Sequence, residues 1–401
     1  PTPISSPGEP PLSLKGVRVA VVFGSRSVEH EISIITACQA MPVLKELGAE
    51  VVPVYITKGG GWITAPQLAE LGSFRERLPE EGQGVLLDLA RGRLLSQGGS
   101  LLGRPSDLAV DVILPLLHGS LGEDGCLQGL ARLARIPLVG TGVAGSALAM
   151  DKFRSKQLFL QAGLPVVPGR LAADPARARE LGQELGFPLV VKPNRGGSSV
   201  GVALAHDVSE LESALTTAFN FDSELVLEPV VPDASDLNCA VKCNAPRQSL
   251  VERHLRSQEL LSYEDKYARR GKLVEPLGKS AGDVGGPKSA AQDPSRELPA
   301  RISDVTRERV QGLALAAFDL LGCRGTARVD FLLSDRGDLF LNEVNTIPGS
   351  LAAHLWSASS VPFPALLEEL VREALQAAPE RTLVLPQNLL QAGELLGKAG
   401  P

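Results

Sequence analysis

Arg328-Val329-Asp330-Phe331 is followed by Leu339-Phe340-Leu341-Asn342-Glu343-Val344-Asn345-Thr346-Ile347-Pro348-Gly349. Both runs alternate apolar and polar residues like paired strands, and Ser334-Asp335-Arg336-Gly337-Asp338 between them reads as a turn. Side chains on a strand point to opposite faces in turn, so Asp330 is expected to project toward Glu343 and Asn345 on the neighbouring strand. Two carboxylates and an amide oxygen form a hard-oxygen set suited to Mg²⁺ held against nucleotide phosphates. A hairpin with a charged, wet face would carry the same letters, so the reading needs the rest of the chain.

The bulk numbers agree with it. The 401 residues are 44% hydrophobic, enough for two or three domains with real cores. A net charge of −6 points to no nucleic-acid or acidic-membrane partner. Forty-one glycines, thirty prolines and only 4% aromatics suit a turn-rich α/β enzyme. The five cysteines are scattered, and Cys239-x₃-Cys243 lacks a second pair for zinc, so buried reduced thiols are expected. No apolar run approaches a membrane span, and Pro1-Thr2-Pro3-Ile4-Ser5-Ser6-Pro7 has no signal-peptide core. A cytoplasmic protein with a loose tail over 1–15 is expected.

Val17–Phe23 is a buried-strand pattern, a helix is expected over about 29–47, and Glu50–Ile56 is the next strand. This βαβ spacing implies a parallel sheet. Hairpins are expected over 82–96, and Asp111–Leu117 is a further strand ending at His118. Ligands in open α/β sheets sit beyond the carboxyl ends of strands, which places Glu29 and His118 on one crevice. A helix near 175–186 leads to the strand Pro188–Pro193, and Glu224–Glu228 is another strand of a smaller central domain. Residues 263–300 are polar and Gly-rich and read as a long lid loop carrying Lys266 and Tyr267. Helices are expected over 302–321 and 363–377. The expected fold is thus α/β in three parts, an N-terminal parallel α/β unit over 16–140, a central α+β unit over 141–235 and a C-terminal α+β unit over 236–378, with an extension over 379–401.

Arg195-Gly196-Gly197-Ser198-Ser199-Val200-Gly201 follows the Lys192 strand. Its backbone N–H groups and hydroxyls suit phosphate oxygens, although it matches neither the Walker A pattern nor the dinucleotide fingerprint, and a plain hairpin turn would read alike. Lys192 closes an apolar strand and needs an anion to justify its place. Lys152 and Lys156 add cations at a helix start, where plain surface lysines would read alike, and Glu228 ends a strand where a nucleoside could hydrogen-bond, although an exposed glutamate would look identical. No nucleophile elbow is present.

Taken together, His118-Gly119, Gly122-Glu123-Asp124-Gly125, Val139-Gly140-Thr141-Gly142-Val143, Met150-Asp151-Lys152, Val191-Lys192-Pro193, Gly197–Gly201, Tyr263-Glu264-Asp265-Lys266-Tyr267, Arg328-Val329-Asp330 and Asn342–Gly349 resemble, in order, the motifs of the D-alanine–D-alanine ligases of the ATP-grasp superfamily. The resemblance covers about residues 16–375. It implies a three-domain ATP-grasp fold with the nucleotide between the last two domains. It also implies ligation of two D-alanines for peptidoglycan precursors, through an acyl phosphate that the second amine attacks. No protein nucleophile is required, so positioning and electrostatics carry the catalysis.

By that resemblance Lys152, Lys192, Ser198 and Ser199 hold the phosphates and Glu228 lies near the adenosine. Asp330, Glu343 and Asn345 bind a pair of Mg²⁺ ions, with Mn²⁺ as a substitute. Arg328 and the Gly349 N–H stabilise the oxyanion. Glu29 pairs with the first D-alanine's ammonium, His118 lies beside that subsite, and Lys266 and Tyr267 close over the substrates. D-alanine and ATP are the implied partners, and a homodimer is implied as the assembly. Two departures stand out. Asp236 takes the place of a glutamate common in the family beyond the Glu228 position. Ser350-Leu351-Ala352-Ala353-His354-Leu355-Trp356 replaces a Thr/Ser-rich stretch and brings His354 near the second substrate's carboxylate. A ligase with a different second substrate therefore stays open, as does a catalytically silent nucleotide binder, although the metal set and phosphate lysines are all present.

Overall fold

The computed structural model describes residues 13–80, 82–97, 105–255 and 296–377. Three sheets organise them. The first holds β1 (Arg18–Gly24), β2 (Glu50–Ile56), β3 (Trp62–Thr64), β4 (Gln83–Asp88), β5 (Arg93–Ser96), β6 (Ser106–Asp107) and β7 (Val112–Pro115). β2, β1 and β7 run parallel, with Val21 opposite Pro53 and Leu114. The remaining strands extend the β2 side as antiparallel hairpins. The strands β1 and β7 are near-continuous apolar runs because both their faces are covered. Val19, Val21 and Phe23 pack toward the helix His30–Glu46, whereas Ala20 and Val22 share a core with Leu127 and Ala131 of the helix Cys126–Ala134.

The second sheet, in the order β10-β9-β11-β8, contains β8 (Arg170–Ala172), β9 (Leu189–Pro193), β10 (Ala203–Ala205) and β11 (Leu225–Pro229). Its inward residues, among them Leu189, Val191, Leu225 and Leu227, pack under the helices Pro175–Leu185 and Val208–Ala218. Asp174 and Asp207 cap those helices by accepting from the N–H groups of Arg177 and Glu210. Alternation therefore turns Val190, Lys192, Val226 and Glu228 to the other face, and Lys192 pairs across from Val226. The short strands β8 and β10, absent from the sequence reading, complete this sheet.

The third sheet comprises β12 (Ser235–Lys242), β13 (Glu252–His254), β14 (Arg296–Glu297), β15 (Thr326–Leu333) and β16 (Leu339–Asn345), in the order β14-β13-β12-β15-β16. Asp330 lies opposite Glu343 and Arg328 opposite Asn345, but Phe331 lies opposite Leu341, so Asn342 is an extra residue in a bulge. Simple alternation from buried Leu339 and Leu341 would have turned Glu343 and Asn345 into the core. The bulge shifts the parity, so that Val344 goes inward and the polar residues go to the cleft.

Two assignments of segment to core differ from chain order. The helix Phe363–Gln376 sends Leu366, Leu367, Leu370 and Val371 into the core beneath the first sheet, next to Ile34 and Met41. The helices Val143–Met150 and Lys152–Gln161 place Ala149 and Phe159 in the core of the third sheet. An amphipathic stripe says that a helix is covered and does not say by what. The lid expected over 263–300 lies outside the described residues up to 295, and Arg296–Glu297 is strand rather than loop. The cysteines are all free, but only Cys239 and Cys323 are buried. Cys126 is exposed at the start of its helix, which corrects the expectation of buried thiols throughout.

Candidate active site

The cleft between the second and third sheets is built by strand-end residues facing one another. It is lined by Lys152, Lys192, Glu228, Asp236, Asn342 and Glu343, with the Gly196–Val200 loop and apolar walls from Val167, Val190 and Leu332. The anion that Lys192 needed is Glu228, 2.7 Å from its Nζ. Lys156 reaches the other Glu228 oxygen at 2.5 Å, so one buried carboxylate is held between two ammonium groups. Burial by itself would raise the Glu228 pKa, but Lys156 and Lys192 outweigh it and hold the carboxyl below its usual range. Lys156 is pushed down to about 8, first by burial and also by Lys192, against the pull of Glu228.

Lys152 follows Asp151, which caps its helix by accepting from the Arg154 N–H. Its Nζ donates to the Gly196 carbonyl and lies 3.5 Å from Glu343 Oε2, linking the glycine-rich loop to the third sheet. Asn342, the bulge residue, presents Oδ1 3.5 Å from Lys192 Nζ. On the same face Arg328 donates to both Asp330 oxygens, at 2.7 and 2.8 Å, and Asn345 Nδ2 donates to Asp330 at 3.1 Å. Asn238, with its amide turned so that nitrogen faces acid and oxygen faces His254, adds a third donor to Asp330 at 3.1 Å.

Asp330, Glu343 and Asn345 thus meet as the sequence suggested. Among the described residues no three His, Cys, Asp or Glu side chains are close enough to hold a metal by themselves. The set is two carboxylates and an amide beside a phosphate-sized cleft. That fits Mg²⁺, which takes one or two protein carboxylates and completes its shell with phosphate oxygens and water.

Glu29 ends the loop after β1 and is buried. Ser198 Oγ donates to its Oε1, and a Cβ built on Gly197 would overlap its carboxylate at 2.2 Å, so glycine is what lets this loop close on Glu29. Ser198 and Ser199 both have positive φ, at 51° and 60°, the kind of backbone that functional turns retain. A Cβ on Gly119 would also meet Glu29, at 2.8 Å from Oε2. Next to Gly119, His118 is buried, with Nε2 3.0 Å from Thr36 Oγ1 and Nδ1 2.8 Å from the Ile347 carbonyl.

Gly349 faces open space, with nothing within 4 Å of a Cβ built on it. His354 lies 3.2 Å from Glu252, a buried carboxylate that also contacts His254 at 3.1 Å and Arg296 at 3.4 Å. Burial would raise the Glu252 pKa, yet the hydrogen bonds from His254 and His354 hold it well below the usual range. Lys266 and Tyr267 lie outside the described residues.

Sequence reasoning passed over Glu123, Asn342 and Glu252 as site members and read Lys156 only as a cation at a helix start. Glu123 accepts the N–H groups of Gly119 at 2.9 Å and Ile347 at 2.8 Å. Its pKa is pushed up to about 8, first by burial and then by the charge of Glu29, against those two N–H bonds and Arg328. Lys156 is a lysine on a buried helical face, and Glu252 gave no signal because two of its partners, Arg296 and His354, are distant in sequence.

Cations on one sheet facing carboxylates on another, across a glycine loop, define an ATP-grasp fold of the acid–amine ligase class. Models of the D-ala D-ala ligase N-terminus and C-terminus match residues 18–141, and 158–280 with 288–372. The chain belongs to the D-alanine–D-alanine ligase family. It is 37% identical over 378 residues to a D-alanine–D-alanine ligase of Mycolicibacterium vanbaalenii, covering 90% of this chain and 97% of the relative. It is 36% identical over 374 residues to one of Deinococcus radiodurans, covering 90% and 98%. Among solved structures, the D-alanine–D-alanine ligase of Coxiella burnetii superposes with a TM-score of 0.69 at 26% identity, covering 90% of this chain and 95% of that one. The VanG D-Ala:D-Ser ligase of Enterococcus faecalis gives 0.70 at 28%, covering 89% and 99%.

Proposed function

We propose that this chain joins two D-alanines into D-alanyl-D-alanine for peptidoglycan precursor synthesis, using ATP and a divalent cation. The observation that carries the reading is the cleft in which Lys152, Lys192 and Glu228 face Asn342 and Glu343, with Asp330 opposite Glu343 on the next strand. Lys152, Lys192 and the Ser198–Ser199 loop hold the phosphates, and Glu228, fixed by Lys156, meets the nucleoside. Asp330, Glu343 and Asn345 would hold two Mg²⁺ ions, with Mn²⁺ able to replace them. The metal supplies positive charge that draws electron density from the phosphoryl group in transfer.

Glu29 receives the ammonium of the first D-alanine, and Ser198 keeps that carboxylate oriented. Arg328, anchored on Asp330, and the Gly349 N–H take up the negative charge that develops when the second amine attacks. Lys266 and Tyr267 close over the cleft and keep water from the acyl phosphate. The enzyme acts as a homodimer in the cytoplasm.

A second acceptor, such as D-serine or a D-hydroxy acid, is favoured by one observation. His354, paired to Glu252, stands where a hydroxyl-rich stretch is usual in the family. Phosphate release with ATP, Mg²⁺ and D-alanine, followed by mass spectrometry of the product, decides between them. D-alanyl-D-alanine as the main product is expected. ADP formed only when D-serine or D-lactate accompanies D-alanine would shift the assignment to the second acceptor, and no ADP with any acceptor would end the ligase reading.

A further inference from the structure

The turn that carries Gly349 is held from the N-terminal unit. Ile347 is gripped at both ends of its backbone: its N–H donates to Glu123 Oε1 at 2.8 Å, and its carbonyl lies 2.8 Å from His118 Nδ1. Ser350, on the other side of Gly349, donates its N–H to Thr36 Oγ1 at 3.3 Å and its hydroxyl to Gln39 Oε1 at 2.7 Å. A carbonyl only accepts, so His118 must carry its proton on Nδ1. Nε2 then accepts from the Thr36 hydroxyl at 3.0 Å, whose oxygen is left to receive Ser350. Of the two neutral imidazole tautomers, only this one satisfies both His118 contacts.

The backbone it holds is strained. Ser350, Leu351 and Ala352 have φ of 50°, 52° and 54°, and three consecutive left-handed residues each cost about 1–2 kcal/mol. Such a turn persists only where its surroundings over-determine it. Here Leu351 and Ala352 are buried, and Thr36 and Gln39 hold Ser350. Gly349 stands between the two gripped residues with open space before it.

We propose that His118 and Glu123 are positioning residues that clamp the Ile347 backbone and thereby aim the Gly349 N–H at the developing oxyanion, rather than contacts to the first substrate. This rests on the ligase reading above. The N-terminal unit then supplies two things to one reaction centre: Glu29 for the substrate, and the orientation of a donor that belongs to the C-terminal segment. A donor displaced from the oxyanion by even a small angle loses most of its effect on the transition state and little on the ground state.

Asparagine places an N–H where imidazole Nδ1 stands, whereas glutamine places one near Nε2, so the pair of variants separates the two roles. For His118→Gln, kcat for dipeptide formation should fall roughly 10–100-fold, with KM for the first D-alanine and for ATP within twofold. Affinity for a dipeptide analogue with a tetrahedral phosphinate at the reacting carbon should fall by the same factor. His118→Asn should recover most of the loss. Thr36→Val, acting from the far side of the ring, should lower kcat in the same way, and its combination with His118→Gln should be less than additive. Thermal midpoints of all variants identify any that fail to fold, and Thr36→Val leaves the clamp testable if His118 variants do so.

A raised KM for the first D-alanine with unchanged kcat, or equal defects in His118→Asn and His118→Gln, would overturn the clamp. The ¹⁵N signals of His118 in the unsubstituted protein give an arm independent of turnover. An Nδ1–H tautomer is expected, and an Nε2–H tautomer overturns the proposal. Absence of dipeptide formation by the unsubstituted enzyme would overturn the ligase reading instead, with the tautomer still judging the clamp.

Discussion

The two sides of the reaction centre are assembled differently. The nucleotide side is made where strands end: Lys192 and Glu228 leave adjacent strands of one sheet, and Lys156 meets them within a fully buried triad. The acyl-transfer side is made at a turn. Ile347, Gly349 and Ser350 are held by Thr36, Gln39, His118 and Glu123, residues more than two hundred positions earlier in the chain. Charges fixed on strands are stiff without outside help. A turn in left-handed backbone needs contacts from another unit to keep it in place. Damage on the first side should therefore show as weaker nucleotide and metal binding, and on the second as lost turnover with binding intact.

The sharpest way to break that contrast is Asp330→Asn. It removes the charge we assign to metal binding and the anchor of Arg328, so turnover should fall by ~10³-fold or more in a phosphate-release assay. Near-normal release would show that the third sheet does not hold the metal. Glu228→Gln comes next. It leaves Lys156 and Lys192 buried together without a counter-charge, and the expected loss of stability is about 3–5 kcal/mol in urea unfolding, with a raised KM for ATP. An unchanged unfolding midpoint would mean that the two lysines are not forced together.

Glu123 sharpens the comparison through pH. Its pKa rises from an ordinary 4.5 to about 8 in the folded chain. The native state therefore keeps a proton that the unfolded chain releases between those values. Stability falls as pH rises from 4.5 to 8 and loses no more from this group above it. Glu123→Gln should flatten that decline in the thermal midpoint, and an identical slope in the variant would place the proton elsewhere. The smallest effect is expected from His354→Ser, a few-fold change in KM for the second D-alanine with KM for ATP unchanged. Equal shifts in both would make the His354–Glu252 pair a structural contact only.

Much of this was legible in the residues themselves. Alternation and turn residues located β15 and β16 as paired strands, and the demand of a strand-end lysine for an anion was met by Glu228. The glycine-rich loop was visible as a turn, but that Gly197 admits the Glu29 carboxylate was seen only in the structure. The legible features are local or one-strand relations, in which spacing implies geometry. The bulge at Asn342 was not legible, because an extra residue in a strand looks the same as an ordinary one until its partner's register is known.

Tertiary structure alone decided the rest. It assigned the helix Phe363–Gln376 to the first core, gathered His354 and Arg296 around Glu252, and brought His118 to the Ile347 carbonyl. The physical reason is common to all three. A periodic apolar stripe or a polar side chain states that it needs a partner, but the partner is chosen by which surfaces the folded chain brings within a few ångströms. Chemistry carried by neighbours on a strand is written in the sequence, whereas the turn around Gly349 is held by Thr36, His118 and Glu123 only once the chain has folded.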